Sequence, residues 1–314
     1  MRLVDTVRLA SLAAVLLGGP YLLAPPHGAL GDGAVRTAAG EQAALLDRTN
    51  LVQTFADEFA RFSWYADGLP DGRTGGGTWR THFGYAGVQD RNSRTLPSNG
   101  EQQIYVDRAF RGTSDSALGL DPFVIADGVL QIVADRAADR IRPYIWNYAY
   151  TSGLITTRGT FAQRYGVFEV RARVPKGRGL WPCVWMLPSA GGWPPELDLL
   201  EILGNDPETL VTTWHSKASG QHTMGRKATR IPDASADFHV YALDWSERQI
   251  RWYFDGAEVA RAPTPPDMHE PMYLLVNLAV GGYWPGSPDA HTQFPAVFAI
   301  DWIRVYKRTA DGSG

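Results

Sequence analysis

YGVFEVRARV, residues 165–174, sets apolar Phe168, Val170, Ala172 and Val174 against polar Glu169, Arg171 and Arg173 in strict alternation. A period of two belongs to a β-strand with one face in a core and one in water, because successive side chains of a strand point to opposite faces. Similar runs occur at residues 128–135, 152–158, 209–216, 239–245, 249–256, 272–280 and 298–306, separated by clusters of Gly, Pro, Asp and Asn, with no convincing long helical pattern between them. Many short antiparallel strands must bury their apolar faces on one another. The expected fold is therefore all-β, two antiparallel sheets packed face to face. No internal repeat, low-complexity tract or interior linker breaks the chain after Phe55, so one domain is expected over residues 55–308, followed by a tail at 309–314.

Composition limits the function. The chain has 314 residues, 44% hydrophobic and 20% charged, which excludes a disordered or fibrous protein. Its formal charge of −3 provides no basic field for a phosphate backbone, and nucleic acid is not an expected partner. A single cysteine, Cys183, forbids an intramolecular disulfide and reads as a small core residue. The 33 Gly and 21 Pro mark many turns, and 11 Trp with 13 Tyr supply flat amphipathic rings of the kind that stack on sugars. At the N-terminus, Arg2 and Arg8 precede an apolar run from Leu9 to Ala24, followed by small residues around Gly28, Ala29 and Ala34. Residues 1–30 read as a secretory leader and 31–54 as a linker. A secreted or periplasmic monomer is expected, with no stable membrane insertion once the leader is removed; the alternative is an uncleaved N-terminal anchor.

The chemistry concentrates in Glu196-Leu197-Asp198-Leu199-Leu200-Glu201. On a regular strand Glu196 and Asp198 share a face and Glu201 points to the other, into the core as a charge. One extra residue, a β-bulge at Leu199-Leu200, returns Glu201 to the face of its companions. Carboxylates crowded on one face repel one another and retain a proton, the state a general acid needs. Two of them about 5–6 Å apart are the arrangement of a retaining glycosidase. The roles read as Glu196 nucleophile, Glu201 acid/base and Asp198 the group that orients Glu196. Solvated surface acids or a calcium site are the competing readings of such a cluster. The apolar residues between the acids and the neighbouring tryptophans weigh against both.

With these residues in view, the sequence resembles glycoside hydrolase family 16. GLWPCVWMLP, WPPELDLLEILG, TTWHS, FHVYALDW, QIRWYFDG, LLVNLAVGGYWPG and FPAVFAIDWIRVYKR stand in that family's order, and NGEQQIY and YGVFEVRARVP extend the likeness over residues 55–308. The resemblance implies a jelly-roll sandwich, concanavalin-like, with a concave substrate cleft. It also implies endo-acting retaining hydrolysis of a β-linked polysaccharide, with Glu196 and Glu201 in the roles above and Asp198 assisting. The acid motif is the bulged form, similar to laminarinase-like enzymes and to glycanases that trim bacterial exopolysaccharides of the succinoglycan type. The expected substrate is a β-1,3- or β-1,3/1,4-glucan. A carbohydrate-binding sandwich without catalysis and a transglycosylase are the rival classes.

Around the acids, Trp181 and Trp185 point to one side of the preceding strand and are expected to line the cleft, with Trp284 as a sugar platform in the GGYWPG loop. His215 is expected beside the acids. Asn99, Arg171 and Asn277 are expected to bind sugar hydroxyls, with Glu101 weighed alongside them. No cofactor is expected to be required. The family often carries a structural Ca2+ on its convex face, and Glu58 and Asp301 match those places.

Overall fold

The computed structural model describes residues 44–67 and 75–309, so the leader, most of the linker and the last residues of the tail lie outside the described residues. A ten-stranded sheet holds β1 (Leu51–Asp57), β2 (Gln103–Tyr105), β3 (Phe123–Ala126), β4 (Val129–Arg136), β5 (Tyr150–Ser152), β7 (Gly166–Arg173), β12 (His239–Trp245), β13 (Gln249–Phe254), β14 (Ala257–Pro263) and β16 (Ala296–Arg308). A six-stranded sheet, in the order β11-β10-β9-β8-β15-β6, holds β6 (Leu154–Thr156), β8 (Leu180–Pro188), β9 (Glu196–Glu201), β10 (Thr209–Ser216), β11 (Thr223–Arg230) and β15 (Met272–Val280). Among these strands pairing is antiparallel except between β2 and β5. The only helical elements among the described residues are three short 3-10 turns.

Local chemistry accounts for the hairpins. Asp127-Gly128 joins β3 to β4 and Asp255-Gly256 joins β13 to β14, each as a two-residue loop with both φ angles positive (51 and 74°, 48 and 83°). This is the turn whose twist matches that of the flanking strands, and Gly at its second position adopts it without steric cost.

Between the sheets lies one core. Phe168, Val170, Ala172 and Val174 of the opening stretch meet Leu197, Leu199 and Leu200 of β9 there, all nearly excluded from water. Burying each leucine contributes about 1.5–3 kcal/mol. The outer face of the six-stranded sheet carries a second, smaller apolar layer: Cys183, Trp185, Leu187, Tyr273 and Leu275, with Phe83 and Tyr105 from the N-terminal half packed over them. The two packed sheets expected from the period of two, and the jelly-roll sandwich implied by the resemblance, are the observed architecture, and Cys183 is buried and free.

Two expectations need correction. The domain begins before Phe55: β1 pairs with β16 from Leu51 onward, and Glu258 donates its backbone N–H to Ala44. The last part of the expected linker is therefore folded chain. Glu169, expected on a wet face, is buried, because Arg48 from that segment clamps its carboxylate through two hydrogen bonds of 2.6 and 3.0 Å.

Candidate active site

The two neighbours of β9 show the bulge. On β8, Trp185 is opposite Asp198, Val184 opposite Leu200 and Cys183 opposite Glu201; on β10, Thr213 is opposite Asp198 and Val211 opposite Glu201. Leu199 is the extra residue. Leu199 and Leu200 both enter the core while Glu196, Asp198 and Glu201 remain on the outer face. A bulge frees ladder groups from their strand partners. Here the freed Asp198 carbonyl accepts the Trp252 indole N–H at 2.8 Å from the opposite sheet.

Each acid has its own surroundings. Glu196 Oε2 accepts the Trp193 indole N–H at 2.8 Å, and Glu201 Oε2 accepts the Thr213 hydroxyl at 2.8 Å. Asp198 is buried, and its Oδ2 has no hydrogen-bond partner. His215 faces the cluster, its Nε2 at 3.5 Å from Glu196 Oε1 and 3.7 Å from Asp198 Oδ2. Its Nδ1 lies 2.9 Å from Nε2 of His222, and the two rings stack.

Burial sets the protonation. It pushes Glu196 up to about 7 against the pull of the Trp193 N–H, the charge of Glu201 adding to the rise. It also pushes Glu201 up to about 7, with the Thr213 hydroxyl, the Arg226 charge and the Trp181 indole pulling the other way. Asp198 is driven well above the ordinary carboxyl range, by burial first and then by the charges of Glu196 and Glu201. The shared proton therefore belongs on Asp198, which has the fewest compensating donors, leaving Glu196 ionised against Trp193. His215 is pulled down to about 4 by burial, helped by His222 and Arg226, and is neutral at pH 7.

The expected binding residues divide. Trp181 lies half-buried beside Glu201, its N–H without a full hydrogen bond, and meets Trp284 edge-on with ring centroids 5.2 Å apart. Trp181 and His215 stand directly beside the acids, with Trp284 against Trp181. Asn99 sits in the turn whose carbonyl accepts the N–H of Tyr283, next to Trp284, but its own amide donates to Glu101. Glu101 is itself buried and held by the Leu96 N–H and the Gln103 amide.

Other expectations are corrected. Trp185 is only 8% exposed and gives its N–H to Asn277 Oδ1 at 2.7 Å, while the Asn277 amide donates to Tyr105 O–H at 2.9 Å. Both are internal braces beneath the site, because a buried polar group is satisfied by protein when no solvent can reach it. Arg171 is on the ten-stranded sheet, where it pairs with Asp301 and lies over the Phe238 ring. It cannot reach a sugar on the other sheet. Nor do Glu58 and Asp301 offer a calcium site: Arg304 holds Glu58 through two hydrogen bonds of 2.8 and 2.9 Å, and Arg171 holds Asp301. Each carboxylate is already neutralised by its own guanidinium, so the pair does not fit the ion.

Three site residues escaped the sequence reading. Trp193 precedes two prolines, and His222 and Arg226 come from the β10–β11 hairpin, with Arg226 over the Trp284 ring at 4.1 Å. The Trp-Pro-Pro run before the first acid was the available signal for Trp193.

Comparisons with known proteins converge on this arrangement. The family described as Glycosyl hydrolases family 16 matches residues 117–304. The endo-1,3-1,4-beta-glycanase ExsH of Rhizobium meliloti is 44% identical over 266 residues, 85% of this chain and 54% of that protein. A beta-glucanase of Rhodothermus marinus is 35% identical over 257 residues, 73% of this chain and 84% of that protein. The laminarinase catalytic domain of Thermotoga maritima has a TM-score of 0.65 at 31% identity, covering 83% of this chain and 100% of that chain. The chain spans about half the length of the Rhizobium meliloti proteins it matches. With its sandwich, its bulged strand and its three converging acids, the chain belongs to glycosyl hydrolases family 16.

Proposed function

We propose that this protein is a retaining endo-β-glycanase that hydrolyses internal linkages of a β-1,3- or β-1,3/1,4-glucan. The observation that carries the reading is the register slip at Leu199, which keeps Glu201 on the face of Glu196 and Asp198. Glu196, ionised and held by the Trp193 N–H, attacks the anomeric carbon while Glu201 delivers its proton to the departing oxygen. A covalent glycosyl-enzyme results, and Glu201, now a base, draws a proton from the water that releases it. Asp198 holds its proton toward Glu196 and tempers the nucleophile's charge as it is consumed. Trp181 and Trp284 offer ring faces and edges to the pyranoses on the acid side. The N-terminal segment supports export to the periplasm or the medium, where such polymers occur. No helix among the described residues is long and apolar enough to cross a membrane.

The exposed Arg226 guanidinium over Trp284 favours a second reading, an exopolysaccharide depolymerase of the same mechanism acting on chains with anionic substituents. All three acids are retained, which weighs against a purely binding sandwich. Reducing-end assays on laminarin, curdlan, lichenan, agar and an acidic bacterial exopolysaccharide separate these readings. Glu196→Ala should abolish turnover, and azide should restore it with an α-glycosyl azide as product; full activity in this variant removes Glu196 from its role.

A further inference from the structure

Glu196, Asp198 and His215 are, among the described residues, the one group of three or more His, Cys, Asp or Glu side chains whose donor atoms lie close enough to share an ion, all within 4.8 Å of one another. The separations of 3.5 and 3.7 Å from His215 Nε2 to the two carboxylate oxygens are near the ~3.3 Å between ligands of a tetrahedral ion with bonds of about 2.0–2.1 Å. Asp198 Oδ2 is buried, accepts no hydrogen bond from a protein donor and lies 3.7 Å from that imidazole nitrogen. A cation supplies such an oxygen with a partner directly.

The surroundings are those of a metal site as well. A metal-bound histidine ordinarily hydrogen-bonds through its other ring nitrogen, which fixes its orientation. His215 Nδ1 does so with His222 Nε2 at 2.9 Å. The Trp193 N–H binds Oε2 of Glu196 and turns Oε1 toward His215. We propose that Glu196, Asp198 and His215 form a divalent transition-metal site of the Zn2+ or Cu2+ class, placed on the nucleophile so that metal and glycan exclude each other. One imidazole and two carboxylates with an open fourth position suit Zn2+ and are too few for Ca2+, which takes 6–8 oxygen ligands. Bound there, the ion occupies the Oε1 lone pair that would meet the anomeric carbon. The inhibitory consequence rests on the glycanase reading, whereas the binding does not.

The test uses the full chain, free of any affinity tag and stripped with EDTA, titrated with Co2+ by visible absorption and with Zn2+ by calorimetry. One site tighter than about 1 mM is expected, with the Co2+ bands displaced by Zn2+. His215→Ala and Asp198→Asn should each weaken binding at least tenfold. His222→Phe, which keeps the stacked ring and removes its nitrogens, should weaken it by about 10-fold or more. His291→Ala, at an exposed histidine elsewhere, should leave it unchanged. Melting curves confirm folding; should His215→Ala not fold, Asp198→Asn and His222→Phe carry the comparison. Zn2+ should inhibit laminarin hydrolysis competitively, with EDTA restoring the rate. The proposal is overturned by absence of saturable binding, or by binding that none of the three folded variants alters. Bound Zn2+ with unimpaired hydrolysis overturns its placement on Glu196. A metal-free chain that cleaves no glucan sinks the glycanase reading and leaves the Co2+ result standing.

Discussion

The indole N–H of Trp252, on the ten-stranded sheet, donates across the buried core to the backbone carbonyl of Asp198 at 2.8 Å, pinning the point where β9 departs from its ladder. The bulge that aims Glu201 is thus held from behind by the other sheet. The acids face outward and their anchor faces inward, so the geometry of the site depends on the packing of the sandwich.

Trp252→Phe keeps the apolar ring and removes the donor. The orphaned carbonyl should cost about 1–3 kcal/mol of unfolding free energy in denaturant titrations. Deleting Leu199 instead turns the motif into a regular alternation with all three acids still on the outer face. That variant should fold and retain measurable hydrolysis, whereas deleting both Leu199 and Leu200 should abolish it by turning Glu201 inward. Equal activity in the two would refute the role assigned to the bulge.

Trp193→Phe removes the one N–H that holds Glu196 Oε2. That donor lowers the Glu196 pKa, so its loss should move the acidic limb of the kcat/KM profile to higher pH. A hydrogen bond to a charged group is worth about 1.5–3 kcal/mol, or roughly 10- to 100-fold in kcat/KM. An unshifted limb would show that the indole N–H does not set the protonation of Glu196.

Glu201 has an ordinary carboxyl pKa of 4.5 when unfolded and about 7 when folded. Its protonated form favours the native state, so that contribution is complete below 4.5 and is lost as pH rises through about 7. His215 acts oppositely: its pKa falls from 6.5 to about 4, so stability drops as the pH is lowered across that interval. Glu201→Gln cancels the first effect and leaves the second. Its melting temperature should exceed the parent's at pH 8 and approach it at pH 5. A constant gap across this range would show that burial does not raise the acid's pKa.

Asn277→Ala leaves the buried Trp185 N–H without its partner, removes one donor from the Tyr105 hydroxyl, and should cost about 1–3 kcal/mol, read as a lowered melting temperature. Arg171→Ala breaks a partly exposed ion pair, worth about 0–1 kcal/mol, on the sheet away from the site, and should leave kcat and KM for laminarin unchanged. A raised KM in Arg171→Ala would return that residue to substrate binding.

Alternation alone made the sandwich legible, because the two faces of a strand follow from covalent geometry wherever the chain is extended. The same parity revealed the bulge: without it Glu201 would be a charge in the core, so three acids within one strand determined their own arrangement. Partners were another matter. Arg171, Asn277 and Glu169 are polar residues in strands, and whether such a residue meets a sugar, water or another side chain depends on segments more than 60 positions away, Asp301, Trp185 and Arg48 among them. Likewise, Trp252 beneath the bulge and His222 behind His215 are brought there by the packing of the opposite sheet and the pairing of a hairpin. Side-chain parity is written residue by residue, whereas the satisfaction of buried polar groups is decided only when distant chain closes over them.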